Sequence, residues 1–244
     1  MEEKTQAHYR FYLRSGSTGR GDAVRFSEEE SKHMVSSLRM GEGDLVGATD
    51  GNGSVFTVEI GDVAGKRVKG RILEVKEERR PQPEIHLFLG VIKGSHMDLV
   101  VEKCTELGVA AVWPVHTERV VSRLSSNRLE RLRRIAVETM KQSLGSYLPG
   151  ISEALAFEDA LGKLRGFDVT LAGWVDEPGR TLGKIDLRPG PMKIGLWIGP
   201  EGGFTDREIT SLVDHGALTF SLGDQRLKAE TAALASVAIL RQFD

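Results

Sequence analysis

The sequence is poor in cysteine, long apolar runs and net charge, and each shortage argues against a class of protein. Cys104 is the only cysteine among 244 residues, so no intramolecular disulfide can form, and we expect a reducing, cytoplasmic setting. No window approaches the ~20 consecutive apolar residues of a membrane-spanning helix, so we expect no membrane association. A formal net charge of −2 argues against a protein that coats nucleic acid by global electrostatics.

Familiar catalytic and metal-binding patterns are also missing. The six histidines lie far apart without metal-ligand spacing, and we therefore expect no bound metal. The sequence contains no G-x-G-x-x-G, no G-x-x-x-x-G-K-[ST] and no G-x-S-x-G motif. Dinucleotide-binding, nucleoside triphosphate-binding and hydrolase functions are thus left without motif support.

Residues 1–75 have the alternation and turn chemistry of a small β-rich domain. Strands are predicted over 8–13, 44–49, 55–60 and 68–75, and glycine and asparagine at 50–53 favour a hairpin between the second and third. Ser27 and Glu30 have the spacing of a capping box, which predicts a helix just after it. Charges and two prolines in residues 76–84 then mark a domain boundary.

From residue 84 to 244, apolar strand runs alternate with helical periodicity, which is typical of a mostly parallel sheet covered by helices. One helix is predicted to end at Gly108, and another to start at a capping box of Thr205 and Glu208 and end at Gly216. The predicted strands are 85–91, 112–115, 169–174, 194–198 and 218–222, and the helices are 96–107, 127–143, 205–216 and 230–243. The fold class is therefore α/β.

Two loops combine the features of a ligand site. Residues 198–205 follow a buried strand and hold three glycines and Glu201, while residues 222–232 repeat strand end, glycine, polar loop and small-residue helix. Ligands bind at the carboxyl edge of open parallel sheets, and glycine allows close backbone approach, so we expect one shared pocket. An ordinary glycine-rich turn and an ordinary helix contact remain the alternative interpretations.

A run of arginines is one candidate for a local basic patch in this nearly neutral chain. A basic patch for nucleic acid and a solvated helix face both explain it. Its members are Arg119, Arg123, Arg128, Arg131, Arg133 and Arg134.

Ten segments spread over nearly the whole chain match one known family in order and spacing. They are 10–11, His33 with 38–39, 43–44, 103–109, Pro114, 117–119, 142–143, Pro149, 199–203 and 222–232. Through these segments the chain resembles the RsmE family of SPOUT-class methyltransferases, which methylate N3 of a uridine in small-subunit ribosomal RNA.

The resemblance implies a PUA-like β-barrel over 1–75 for RNA binding, followed over 84–244 by a trefoil-knotted domain that binds S-adenosylmethionine. It implies a homodimer acting on ribosomal RNA or the small ribosomal subunit. The implied RNA-binding residues are Arg10, Arg39, Lys103 and Arg119. The implied cofactor-binding residues are Leu171, Ala172, Gly173, Ile198, Gly199, Pro200, Glu201, Gly202, Leu222, Gly223, Leu227, Thr231 and Ala232.

Our mechanistic hypothesis is that Glu201 or Glu230 shapes the pocket of the target base, while Lys228 stabilises negative charge on that base. Gln225 and Lys228 stand where the family usually has arginine, and Gly145 lies where another arginine is expected. Three alternatives stay open: a related methyltransferase with another RNA target or atom, a non-catalytic RNA-binding or assembly protein, and a metabolic α/β enzyme with an accessory barrel.

Overall fold

The structure is a computed structural model that describes residues 9–243 except 15, 19–21, 65–66, 188–189 and 191. The chain divides into two compact units. The first comprises Met1–Arg80 and Val137–Leu148, and the second comprises Pro81–Ala136 and Pro149–Asp244. Helix α3, Ser126–Gln142, contributes its last turns to the first unit and its earlier turns to the second.

The first unit is built on a five-stranded sheet in the order β1-β3-β4-β5-β2. The predicted hairpin is confirmed, because β3 and β4 pair antiparallel across residues 50–53, while β1 joins β3 in parallel. His8, the first residue of the predicted 8–13 strand, lies outside the described residues. The strands are β1 Arg10–Tyr12, β2 Ala23–Arg25, β3 Leu45–Thr49, β4 Ser54–Ala64 and β5 Arg67–Glu77.

The short helix α1, Glu28–Lys32, packs on this sheet and continues as a π-helical turn, His33–Ser37. Ser27 caps it, since its hydroxyl accepts the Glu30 N–H at 3.2 Å. The other half of the predicted capping box is wrong. The Glu30 carboxylate, buried in this unit, faces the Lys141 ammonium at 2.7 Å instead of the helix start.

Lys141 is the centre of a buried charge cluster in the first unit. Its ammonium also lies 2.8 Å from the Glu138 carboxylate and 5.3 Å from the centre of the Tyr9 ring. Burial raises the pKa of the Glu30 carboxyl, and the nearby ammonium only partly opposes this. Burial alone would lower the pKa of Lys141, but hydrogen bonds to Glu138 and Glu30 outweigh burial and raise it.

The second unit contains a seven-stranded sheet whose described pairings are all parallel. Its order is β12-β10-β11-β6-β7-β8, with β9 also beside β7. Because both faces are covered, central strands such as β6 are almost wholly buried. The strands are β6 Glu84–Gly90, β7 Ala111–His116, β8 Gly150–Ile151, β9 Leu155–Ala156, β10 Val169–Gly173, β11 Lys193–Ile198 and β12 Leu218–Phe220.

Four further helices belong to the second unit, and the predicted parallel α/β architecture is confirmed. Residues Thr205 and Glu208 form the predicted capping box, with both of its hydrogen bonds present. Gly108 and Gly216, placed by the sequence just after helix ends, have φ of 74° and 90°. The helices are α2 His96–Glu106, α4 Phe157–Leu161, α5 Asp206–Asp214 and α6 Ala229–Leu240. Within the described ranges, no helix combines the length and apolar character that crossing a bilayer demands.

Candidate active site

A cavity of about 240 Å³ lies at the carboxyl ends of the neighbouring strands β10, β11 and β12. Three chain segments and one side chain from the loop after β7 form its wall, so the two predicted loops do share one pocket. The wall consists of 173–176, 198–204 with Asp206, 220–223 and 225–227 with Ala229 and Ala232, and Arg119.

The loop after β11 is closely folded on itself, and its glycines are what allow this. A Cβ on Gly199 would lie 3.0 Å from the carbonyl carbon of Gly203 and from the Phe204 nitrogen. Gly203 has φ of 68°, a conformation that side chains disfavour. A Cβ on Gly202 would lie 3.1 Å from the Cβ of Arg119. The tight fold of this loop therefore depends on glycine at these positions.

The side chain of Arg119 is hydrogen-bonded to this glycine loop. Its guanidinium Nη1 donates to the carbonyl oxygens of Gly202 at 2.8 Å and Phe204 at 3.2 Å. The neighbouring Glu118 N–H donates to the carboxylate of Glu208 at 2.8 Å, the same carboxylate that caps helix α5. The loop after β7 thus fixes both ends of the turn between β11 and α5.

The wall segment after β10 is anchored to β12. The Thr219 hydroxyl donates to the Glu177 carboxylate, and the Arg180 guanidinium donates to the Thr219 carbonyl at 3.1 Å. Although burial of Glu177 acts in the opposite direction, hydrogen bonds from the Thr219 hydroxyl and from the backbone N–H groups of Arg180 and Gly179 lower the pKa of its carboxyl. Val175 and Asp176, which line the cavity just before Glu177, are thereby held beside β12.

A fourth segment, residues 90–96 from the last residue of β6 to the first residue of α2, also contacts the site and was missed by sequence reasoning. A Cβ on Gly90 would lie 2.5 Å from the Pro200 nitrogen, so the two backbones touch. The Lys93 N–H donates to Glu201 Oε1 at 2.9 Å. The Arg128 guanidinium donates to the carbonyls of this loop at positions 92 and 94, at 3.1 and 2.5 Å. A glycine at the strand end was the one available signal.

The three predicted catalytic residues differ in setting. Glu201 lines the cavity and contacts the Lys93 amide. Glu230 is buried in the first turn of α6 and lies 3.1 Å from Nδ1 of His96, although it is not part of the wall. Lys228 is exposed at the N-cap position of α6, and its side chain makes no capping hydrogen bond.

Most predicted cofactor residues meet at the cavity, and three do not. Leu171 and Ala172 are fully buried in β10 below the wall, and Thr231 is exposed on α6. The wall also includes Asp176 and Asp206, which the sequence did not single out. The predicted residues on the wall are Gly173, Ile198, Gly199, Pro200, Glu201, Gly202, Leu222, Gly223, Leu227 and Ala232.

The structure does not gather the predicted RNA-binding residues into one cluster. In the first unit, Arg10 donates to the Glu78 carboxylate at 2.8 Å, while Arg39 has φ of 55° and no ion-pair partner among the described residues. In the second unit, Lys103 lies 2.7 Å from a carboxylate oxygen of both Glu102 and Glu106. Arg119 is occupied with the glycine loop.

The departures from the family pattern also lie in different places. Gln225 lines the cavity, Lys228 precedes α6, and Gly145 follows the end of α3 in the first unit. Over the part of the chain that the structure describes, no group of three His, Cys, Asp or Glu residues is placed to hold a metal ion.

Comparison with known proteins places these observations in context. A family model described as an RNA methyltransferase domain matches residues 78–241, and one described as an RNA methyltransferase PUA domain matches residues 26–73. Ribosomal RNA small subunit methyltransferase E of Synechocystis is 33% identical over 222 residues, which cover 88% of this chain and 71% of that protein. The enzyme of the same name from Bacillus subtilis is 28% identical over 87% of each chain.

A solved structure is similar over almost the whole chain. The crystal structure of a ribosomal RNA small subunit methyltransferase E from Neisseria gonorrhoeae, bound to S-adenosylmethionine, superposes with a TM-score of 0.86. It is 28% identical and covers 96% of this chain and 97% of its own.

Proposed function

Because this chain belongs to the ribosomal RNA small subunit methyltransferase E (RsmE) family, we propose that it transfers a methyl group from S-adenosylmethionine to N3 of a uridine in 16S ribosomal RNA. The observation that carries the proposal is the glycine-lined cavity at the carboxyl ends of β10, β11 and β12. That edge of a parallel sheet is where ligands bind in open α/β folds.

The residues of the cavity fit the cofactor. S-adenosylmethionine, when bound, supplies a methyl group activated by a sulfonium centre. Gly199 and Gly202 line the cavity, and the close fold of their loop leaves little room for a Cβ at either position. Three carboxylates on the wall outnumber its two guanidiniums, which favours a ligand of positive charge. These charged residues are Asp176, Glu201 and Asp206, and Arg119 and Arg226. Apolar side chains from Ile198, Leu222, Leu227 and Phe220 supply contact surface for a purine ring.

Three of the proposed cofactor-binding residues, Leu171, Ala172 and Thr231, lie outside the cavity wall. Leu171 and Ala172 are buried in β10 and fix the position of Gly173, which does line the cavity. Thr231 follows Glu230 in the first turn of α6 and leaves the wall to Ala229 and Ala232. We assign backbone support to these three residues and direct cofactor contact to those on the wall.

Uridine N3 bears a proton, so the protein must remove it and stabilise the resulting charge. We assign Glu201 and Glu230 to shaping the pocket of the base, and Lys228 to stabilising negative charge on it. The exposed ammonium of Lys228, at the edge of the cavity loop, is accessible to an incoming nucleotide. Alignment of the base with the donor supplies about 7–11 kcal/mol, which is why the loops are held so firmly.

RNA binding is proposed for the PUA-like part of the chain, residues 1–75, with methyl transfer in residues 84–244. Arg39 is the candidate phosphate contact with a free charge, because Arg10 and Lys103 are paired with carboxylates. Arg10, Arg119 and Lys103 would each have to exchange a protein partner for phosphate. Removing a true phosphate contact flattens the dependence of RNA affinity on salt.

We also propose that the carboxyl-terminal segment of the second unit threads a trefoil knot, and that the chain acts as a homodimer in the cytoplasm. The sheet order supports the knot, since β10 lies between β11 and β12, which both follow it in sequence. Exposed apolar side chains at Val121, Val175 and Leu227 support a homodimer contact. Light scattering of the purified protein measures its mass and so tests the dimer.

The deciding experiment is nucleoside mass spectrometry of 16S ribosomal RNA after incubation with the protein and S-adenosylmethionine. We expect N3-methyluridine from the wild type and none from Gly199→Ala, whose Cβ collides with Gly203 and Phe204. Gly166→Ala is the matched control, since a Cβ there meets nothing within 4 Å. A different methylated nucleoside would favour a related methyltransferase with another target.

Calorimetry with S-adenosylmethionine separates the enzyme from a non-catalytic RNA-binding protein. We expect binding by the wild type and by Gly166→Ala, and loss of binding by Gly199→Ala. Absence of binding by the wild type at millimolar cofactor would contradict the proposed function.

A further inference from the structure

Residues 90–96, from the end of β6 to the start of α2, contact both the glycine loop after β11 and the start of α6. At one end, the Lys93 N–H is bonded to Glu201 of the glycine loop. At the other, Nδ1 of His96 lies 3.1 Å from the Glu230 carboxylate at the start of α6. Arg128 holds the carbonyls between them. The segment is therefore anchored at both ends, although none of its residues lines the cavity.

Residues 90–96 are placed to contact the uridine base that accepts the methyl group, rather than the cofactor that donates it. Ala229 and Ala232, on either side of Glu230, line the cavity, whereas Glu230 and His96 do not. The His96–Glu230 pair therefore lies beside the cofactor cavity and outside it. A nucleobase that presents its N3 edge to the methyl donor needs polar groups beside the cofactor cavity, where this pair lies.

The chemistry of the pair is that of a general base with its positioning group. The Glu230 side chain is 11% exposed and the His96 side chain is 49% exposed, so the carboxylate is covered while the imidazole reaches solvent. A carboxylate at Nδ1 keeps the proton on that nitrogen and leaves the lone pair on Nε2. Nε2 has no hydrogen-bond partner among the described residues.

The two carboxylates themselves are poorly placed for the same task. Glu201 Oε1 accepts the Lys93 amide and Glu230 Oε1 is engaged with His96, so an oxygen of each holds the loop. Histidine is also the side chain whose proton exchange lies closest to neutral pH, where a general base works best.

We propose that His96 is the general base that removes the proton from uridine N3, with Glu230 as its positioning residue. The inference rests on the proposed function. In the step, the N3–H bond breaks, its electron pair stays on N3, and the proton goes to Nε2 and then to solvent. The N3–carbon bond forms as the methyl–sulfur bond of the donor breaks, with that electron pair staying on sulfur.

The test is single-turnover methylation of 16S ribosomal RNA by His96→Gln, His96→Ala and His215→Ala. His215 is the matched control, an exposed histidine at the end of α5 whose Nδ1 contacts the Ser211 carbonyl at 2.8 Å. Glutamine at position 96 keeps a polar side chain there but takes no proton. We expect both His96 variants to lose about 100-fold or more in rate, and His215→Ala to lose less than about threefold.

Two further readouts distinguish proton removal from a structural role. Calorimetric binding of S-adenosylmethionine should stay within about threefold of the wild type in all three variants, because His96 lies outside the cavity. Added imidazole should restore rate to His96→Ala and not to His96→Gln, where the side chain fills the space.

Each adverse result has one meaning. A wild type that methylates while His96→Gln keeps its rate overturns the role of His96 and leaves the proposed function intact. Loss of cofactor binding in the His96 variants, or failure of imidazole to restore His96→Ala, assigns the residue to structure and overturns the proposal. A wild type that forms no N3-methyluridine overturns both.

Discussion

Lys141→Met tests whether the buried charge cluster of the first unit stabilises it. The Lys141 side chain is 3% exposed and lies 2.7 Å from Glu30, whose side chain is 6% exposed. Methionine fills a similar volume but leaves the Glu30 carboxylate buried without a cation. Breaking a buried pair in this way costs about 3–5 kcal/mol, so we expect the free energy of unfolding at pH 7 to fall by that amount.

The pH dependence of this loss has a definite sign. Burial already raises the pKa of Glu30, and the Lys141 ammonium opposes that rise, so removing Lys141 raises the pKa further. The folded variant then binds a proton at pH values where its unfolded chain does not. Its deficit relative to the wild type is therefore largest at neutral pH and shrinks as the pH falls towards about 5.

Urea unfolding followed by far-ultraviolet circular dichroism at pH 7 and pH 5 measures both effects. Glu138→Gln is the control for a partner that is 46% exposed, and we expect it to lose less than about 1 kcal/mol. The double variant Glu30→Leu with Lys141→Met should recover most of the loss, since it removes both charges. A loss below about 1 kcal/mol for Lys141→Met, or one independent of pH, would refute the reasoning.

Three further predictions concern the second unit. Gly90→Ala should weaken S-adenosylmethionine binding by about 10-fold or more, because a Cβ there would lie 2.5 Å from Pro200 and displace it. Calorimetry measures this loss, and Gly166→Ala should leave the binding unchanged. Arg119→Gln should weaken the same binding by about 10-fold or more without flattening the salt dependence of RNA affinity, because it removes charge-assisted bonds to loop carbonyls. A flatter salt dependence would return Arg119 to phosphate binding. Cys104, whose pKa burial raises to about 12, should resist iodoacetamide at pH 8 until urea unfolds the protein, and rapid labelling of the native protein would contradict this.

Elements with a long periodic pattern were predictable from the sequence. The helix over α2 and the strand over β6 follow from regular apolar spacing, and the capping box of Thr205 and Glu208 fixes the start of α5. The loops at Gly199 and Gly223 were identified because their glycines follow strands at the carboxyl edge of a parallel sheet, and both do line one cavity. The resemblance to the RsmE family is also confirmed.

Short elements and distant contacts could not be predicted. Strands β8 and β9 have two residues each, and α4 has five, which is too few for any periodicity to register. The bond between Lys93 and Glu201 joins residues 108 apart, and Arg119 reaches Gly202 across 83 residues. Only the folded sheet brings such pairs together.

The same limit explains the mistaken half of the first capping box. Locally, Ser27 and Glu30 have the right spacing, and a capping role satisfies both. A buried lysine from α3 offers Glu30 a full opposite charge, whereas the helix start offers a single amide donor. The tertiary contact therefore wins over the local motif.

The sharing of α3 between the two units affects how the protein can be dissected. A fragment that stops at Arg80 lacks Val137–Leu148, so Glu30 loses its ammonium partner and the hairpin at residues 51–53 loses the backbone that pairs with it. The first unit is thus discontinuous in sequence. To transplant it, one would have to carry a peptide from the middle of the methyltransferase sequence along with it.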